Sequence, residues 1–230
     1  MMIPLDPRLA AAASFAREGA TLADIGTDHA YLPISLLLDG RAPFAVVSDV
    51  NEGPLFRAKA NAAKYGVTEK MRFVRADGLS GLEPERDGVR DIYVCGMGGE
   101  LIARIVGASD YTRRPGVHLI LQPMSSPEEL RLFLGMAGFA ILDERLCEAA
   151  GKRYACLLAA YDGRIREYTR AELLLGRANI EKKEPLFRPF AEGWLARVET
   201  QIAGRRAGGL DTAEAEALRD EILAILEVTP

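Results

Sequence analysis

Asp24-Ile-Gly-Thr-Asp-His-Ala-Tyr-Leu-Pro33 is the stretch on which the reading of this chain turns. The apolar run 21–25 leading into it predicts a β-strand, and residues 31–38 behind it predict a helix. Gly26 lets the backbone turn tightly between them and lets a ligand come close. A strand, a glycine turn and a helix N-terminus with free N–H groups together make the ligand-binding edge of an open α/β sheet. A dinucleotide fingerprint needs glycines at 26, 28 and 31, whereas the chain has Gly26, Asp28 and Tyr31. A carboxylate at 28 would repel a pyrophosphate, so an atypical NAD-binding oxidoreductase is only a remote alternative.

The same pattern extends outward. Further strands are predicted at 45–50, 71–76, 92–95, 119–122, 140–147 and 154–161. Helices are predicted at 54–65, 100–106 and 127–137, the last with a capping box of Ser126, Pro127 and Glu129. Strands alternating with helices read as βαβ units around a parallel sheet. Only 149–152, with Gly151, separate the last two strands, so they form an antiparallel hairpin. Past Gly163 the alternation stops. Phe187, Phe190, Trp194, Val198 and Ile202 recur at helical spacing, as do Leu218, Ile222 and Ile225 after the Gly208-Gly209 break, with Asp211 and Glu214 as a second capping signal. The chain thus divides into residues 1–162, a doubly wound sheet ending in a hairpin, and residues 163–230, a helical hairpin appendage whose aromatic stripe reads as helix–helix core.

Four successive predicted strands end in Asp or Gly: Asp24 with Gly26, Asp49, Asp77-Gly78, and Cys95-Gly-Met-Gly-Gly99. An acid at the end of the second strand suits the two hydroxyls of a ribose. An acid beside a glycine at the third could accept the exocyclic amine of adenine, and the glycines of the fourth imply a close approach to backbone. Taken singly, Asp24 or Asp28 is equally a helix cap, Asp49 a turn residue, His29 a structural histidine and Cys95 core packing. Their joint occurrence at four strand ends describes a ligand with adenine, ribose and a zwitterionic tail but no phosphate, which is S-adenosylmethionine.

Composition bounds the rest. The 230 residues carry 29 Lys+Arg against 33 Asp+Glu, a formal charge of −4, and are 49% hydrophobic, enough for an ordinary core. Three cysteines and two histidines give neither a disulfide framework nor a metal cluster. No apolar run reaches membrane-spanning length, and 9–13 is flanked by charges unlike a signal peptide. A cytoplasmic, reduced protein is expected. The acidic total hides the segment 57–76, with Arg57, Lys59, Lys64, Lys70, Arg72 and Arg75 against Glu69 alone.

The Asp24–Pro33 string, Ser48-Asp-Val-Asn-Glu-Gly-Pro54, Asp77-Gly-Leu79, Gly96-Met-Gly-Gly99, Leu121-Gln-Pro123 and Gly151-Lys-Arg-Tyr154 resemble the bacterial tRNA (adenine-N1)-methyltransferases that modify adenine 22. The resemblance runs over essentially the whole chain. It implies a class I methyltransferase (Rossmann-like) sheet with a coiled-coil-like helical domain, S-adenosylmethionine as donor and tRNA as substrate. It puts the cofactor at Asp24, Gly26, Asp28 and His29, the ribose at Asp49 beside Val50, the adenine at Asp77 and Gly78, and the methionine and target base along Gly96, Met97 and Gly98. Asp28 and His29 are then candidate catalytic residues for accepting or stabilising charge, with Gln122 and Tyr31 orienting or stacking the base. Arg57, Lys59, Lys64 and Arg72 are candidate RNA contacts, with Lys182 and Lys183 a second set beside Arg177 and Arg188. The expected partner is tRNA, with no metal or membrane, and the expected state a monomer or weak homodimer. The same cofactor used on another RNA or on a protein is the alternative.

Overall fold

The computed structural model describes residues 3–228. Its strands are β1 (Leu22–Ile25), β2 (Ala45–Asp49), β3 (Met71–Arg75), β4 (Asp91–Gly98), β5 (His118–Ser125), β6 (Phe139–Ala149) and β7 (Lys152–Tyr161). They form one sheet of order β3-β2-β1-β4-β5-β7-β6. β1 to β5 run parallel; β7 is antiparallel to β5 and β6. The two-residue turn of the final hairpin places Ala150 and Gly151 at φ 49 and 70, the left-handed pair of a type I′ turn. All of β1 is buried, as expected of a central parallel strand covered on both faces. Strand order runs outward from β1 in one direction and from β4 in the other. The crevice beyond their carboxyl ends is therefore the topological switch point.

The helices of this part are α1 (Pro7–Ala13), α2 (Tyr31–Leu38), α3 (Glu52–Lys64), α4 (Pro84–Asp87), α5 (Gly99–Gly107) and α6 (Pro127–Met136). They and the sheet form a compact unit ending at Arg166; a second unit begins at Glu167. The second holds α7 (Arg170–Leu175), α8 (Arg177–Lys182), α9 (Phe187–Ala207) and α10 (Ala213–Glu227). Within it α9 packs on α10, burying Phe187, Phe190, Val198 and Ile202 of one and Ala215, Ile222 and Leu226 of the other. Each such large apolar side chain stabilises the pair by roughly 1.5–3 kcal/mol. Trp194 is half-buried, with the Arg197 guanidinium 4.7 Å over its ring.

Several local expectations need correction. Ser126 does start α6, but at φ 50 its side chain makes no capping bond. A capping box is formed instead by Thr169 with Glu172, at the start of α7. Asp211 accepts the Ala213 N–H at 3.0 Å, but the N-cap of α10 is Thr212. β4 and β5 each outrun their sequence signal, because the glycine stretch 96–98 pairs on through two register shifts. α1 carries the start signal Asp6-Pro7 and was not expected as a helix.

Candidate active site

At the end of β1 the chain turns through Gly26 at φ 73, a left-handed conformation in which a side chain would be strained. An added Cβ would also meet Met97 Cε at 1.8 Å, so Met97 from β4 lies across this turn. Thr27 is buried; its hydroxyl oxygen accepts the Ala30 N–H at 3.1 Å and its hydroxyl bonds to Asp24. Ala30, the N-cap of α2, is itself left-handed at φ 55 and has no side chain able to cap the helix. The Tyr31 and Leu32 N–H groups at the start of α2 are left without a side-chain cap, and both residues border the crevice at the positive end of the helix dipole.

The crevice is a cleft of about 410 Å³ bounded by Arg8, Leu9, Asp24, the 26–32 loop, Cys95, Gly96 and Gln122. Asp24 is buried, and that burial, opposed by the Thr27 hydrogen bond and assisted by Asp49, raises its carboxyl to about 6. A buried acid facing a cleft with a second acid near it is a site for a cation or for paired hydroxyl donors. Asp49 sits at the tip of β2, where its Oδ1 accepts the Asn51 N–H at 2.7 Å. Val50 beside it is exposed. A second cleft of about 270 Å³ is lined by Asp77, Gly78, Leu79 and Ser80, by Arg104 and Ile105 of α5, and by Ala108 and Ser109 just after it. Gly78, at φ 53, packs against Ile105, and its carbonyl accepts the Ser48 hydroxyl at 3.4 Å. The acids fit the cationic group and the ribose hydroxyls of an adenine-bearing ligand, the left-handed glycines its close approach, and the helix N-terminus an anionic group such as a carboxylate.

The predicted catalytic residues separate into two groups. Asp28, His29 and Tyr31 come together at the lip. Asp28 Oδ2 lies 3.2 Å from His29 Nε2, and the His29 ring stacks on Tyr31 with centroids 5.3 Å apart and planes 11° from parallel. Gln122 is buried instead. Its Oε1 accepts the Gly96 N–H at 3.2 Å and its Nε2 donates to the Pro123 carbonyl at 2.8 Å, so its amide braces the β4–β5 edge. The glycines of that edge serve different ends. Gly96 needs its φ of 80, whereas a Cβ on Gly99 would strike the Ser126 carbonyl at 2.1 Å. The close approach at Gly99 is thus made by the protein's own backbone.

The basic segment is largely paired. Arg57 Nε donates to Asp28 Oδ1 at 3.0 Å. Arg72 is mostly enclosed, pairing with Asp87 and donating to the Gly81 carbonyl, and Arg75 pairs with Glu52 at 2.6 Å. Lys59 and Lys64 lie over the rings of Phe73 and Tyr65. In the second unit Lys182 lies 3.4 Å from Glu184, and Lys183 donates to the Val228 carbonyl. Sequence reasoning missed Arg8, whose start signal was legible, and Asn61, whose amide donates to the His29 carbonyl at 3.0 Å. No motif marks Asn61; its contact depends on the rotation of α3. Among the described residues no group of acids, histidines and cysteines could hold a metal, and no helix is long and apolar enough to cross a membrane.

Residues 5–157 match a family model described as a methyltransferase domain. The Bacillus subtilis tRNA (adenine(22)-N(1))-methyltransferase is 36% identical over 169 residues, 70% of each chain. The crystal structure of the B. subtilis m1A22 tRNA methyltransferase superposes with a TM-score of 0.78 at 29% identity, covering 97% of this chain and 96% of that one. A Streptococcus pneumoniae protein solved in complex with S-adenosyl-L-methionine gives a TM-score of 0.83 at 32% identity, covering 98% of this chain and all of the other.

Proposed function

The chain belongs to the tRNA (adenine(22)-N1)-methyltransferase family, and from that premise we infer that it methylates N1 of adenine 22 in tRNA with S-adenosylmethionine as donor. The observation that carries this reading is Asp24, a buried carboxylate held up at about 6 at the switch point of the sheet, beside the left-handed Gly26 turn. S-adenosylmethionine supplies an electrophilic methyl carbon on a sulfonium sulfur.

The chain's residues hold and align. Asp24 would hold the ammonium of the donor's amino-acid tail, with Gly26, Gly96, Met97 and Gly98 as the residues beside it. Asp49 would hold the ribose hydroxyls, with Val50 at the adenosine and Asp77 with Gly78 at its base. The target adenine needs no base to activate N1, whose lone pair is the nucleophile, so alignment supplies most of the acceleration. Stacking on the His29–Tyr31 pair sets the plane of the ring. Methylation leaves a cationic adenine, which the Asp28 carboxylate stabilises and whose exocyclic amine proton it can take. Gln122 acts one step removed, by bracing Gly96.

A base within folded tRNA must be extruded to reach this cleft. Lys59 and Lys64 of α3, and Lys182 with Lys183 in the second unit, are the proposed phosphate contacts. We take the protein to act in the cytoplasm, where tRNA is held, as a monomer or weak homodimer. The test is incubation of unmodified tRNA with methyl-labelled S-adenosylmethionine, followed by mapping of the nucleoside. Label in 1-methyladenosine at position 22 is expected. Label elsewhere in RNA or in a protein selects another substrate, and no label in any tRNA overturns the reading.

A further inference from the structure

Arg8 enters the cleft from α1, outside the βαβ pattern, and has no part in the mechanism above. Asp6 caps α1 by accepting the Arg8 backbone N–H at 2.8 Å, and the same carboxylate accepts from Arg8 Nε at 3.0 Å and Nη2 at 2.5 Å. This side-on fork fixes the guanidinium plane, which also lies 5.7 Å from the Tyr154 ring centroid. The remaining nitrogen, Nη1, donates to Met124 Sδ at 2.8 Å. A thioether is a weak acceptor, so that contact is readily exchanged. Arg8 shares the cleft with Asp24, His29 and Gln122. Cys95 on its floor feels both charges: burial pushes the thiol up, Asp24 pushes it further and Arg8 draws it back. Opposite charges therefore flank one floor.

We propose that Arg8 is an anion contact of this cleft, its Nη1 edge exchanging the Met124 sulfur for an anionic oxygen carried in by a substrate. The oxygen belongs either to the carboxylate of the donor's amino-acid tail or to the phosphate of the target nucleotide. The proposal rests on the reading of the cleft as the methyl-transfer site. An oxyanion forms a charge-assisted bond that a thioether cannot, and Asp6 has already ordered the side chain, which lowers the entropy lost on binding.

Arg8→Met and Arg8→Lys, made in the full chain, are compared with wild type by calorimetry with S-adenosylhomocysteine and by methylation kinetics over a range of tRNA concentrations. If the oxygen is the carboxylate, Arg8→Met weakens S-adenosylhomocysteine about tenfold. Methylthioadenosine, which lacks the amino-acid tail, then binds both proteins equally. If it is the phosphate, S-adenosylhomocysteine binds unchanged, the KM for tRNA rises about tenfold and the log–log salt slope falls by about one. Arg8→Lys recovers only part of either loss, because a point charge cannot replace the fork. Should Arg8→Met fail to fold, Asp6→Asn keeps Arg8 and loosens it, and a smaller loss in the same arm is expected. Affinity and KM both within about twofold of wild type in the folded variants would overturn the proposal. A wild-type protein that methylates no tRNA would sink the function instead, leaving the calorimetric arm to decide on Arg8.

Discussion

Arg57 Nε lies 3.0 Å from Asp28 Oδ1, so the first basic residue of the apparent RNA-facing segment is turned onto the loop that carries the candidate proton acceptor. One turn further along α3, Asn61 holds the His29 carbonyl at 3.0 Å. Two residues at helical spacing thus fasten the side chain of Asp28 and the backbone of His29 together. Both partners of the ion pair are substantially exposed, so its loss changes stability by less than about 1 kcal/mol. Arg57→Ala is expected to lower kcat about tenfold with little change in melting temperature or in the salt slope of tRNA binding. A salt slope that falls by about one, with kcat intact, would return Arg57 to the phosphate contacts.

Asp24 carries the pH dependence. Burial raises its carboxyl to about 6 in the folded chain, against an ordinary value of 3.8. Between those values the folded state holds a proton that the unfolded state releases. Burying the charge therefore costs stability above pH 6, and that cost fades as pH falls toward 3.8. Asp24→Asn should raise the melting temperature of the ligand-free protein at pH 7.5. It should also weaken S-adenosylhomocysteine at least about tenfold, since the cation loses its partner. In wild type the dissociation constant stays flat above pH 6 and rises about tenfold per unit below it, as protons compete with the ammonium. Calorimetry from pH 5 to 8 that shows no such rise excludes Asp24 as the cation site.

Gly26 and Gly99 separate two uses of glycine. At Gly99 a methyl group would meet the Ser126 carbonyl at 2.1 Å, and backbone on both sides has no room to yield. Gly99→Ala should cost about 1–3 kcal/mol in a urea titration. At Gly26 the obstacle is the tip of Met97, which can swing aside, leaving the left-handed backbone penalty of roughly 1–2 kcal/mol. Gly26→Ala should therefore lose ligand affinity out of proportion to stability, because the displaced thioether moves within the site. Equal affinity in Gly26→Ala and wild type would contradict this.

The strand-end acids and glycines were legible because each sits at a break in apolar periodicity, and the order of the sheet follows from short crossovers and one tight hairpin. The helix pair α9–α10 was legible from its apolar spacing. The fate of the charges was not. Arg57, Arg72 and Arg75 read as parts of one basic segment, yet each finds an acid far away in sequence, at Asp28, Asp87 and Glu52. The extension of β4 was hidden because Gly96 and Gly98 look like a loop, while Gln122 supplies an acceptor for the Gly96 N–H. Ser126 carried a capping pattern, but its left-handed backbone sets its carbonyl against Gly99 and makes no side-chain cap.

Tyr31 tests whether the cleft lip handles a base. Its ring is exposed on the first turn of α2 and is stacked on His29 with planes 11° apart. An aromatic pair at the mouth of a cleft presents a face on which a base can stack, a contact of about 1–3 kcal/mol. Such a contact needs the ring and not the hydroxyl. Tyr31→Phe should keep kcat and the KM for tRNA within about twofold, while Tyr31→Ala raises KM about tenfold or more. Binding of S-adenosylhomocysteine should be unmoved in both, since no strand-end acid or glycine is touched. If Tyr31→Phe falls as far as Tyr31→Ala, the hydroxyl and not the ring is the group in contact with the substrate. A loss confined to S-adenosylhomocysteine affinity would instead move the His29–Tyr31 stack from the adenine to the donor side of the cleft.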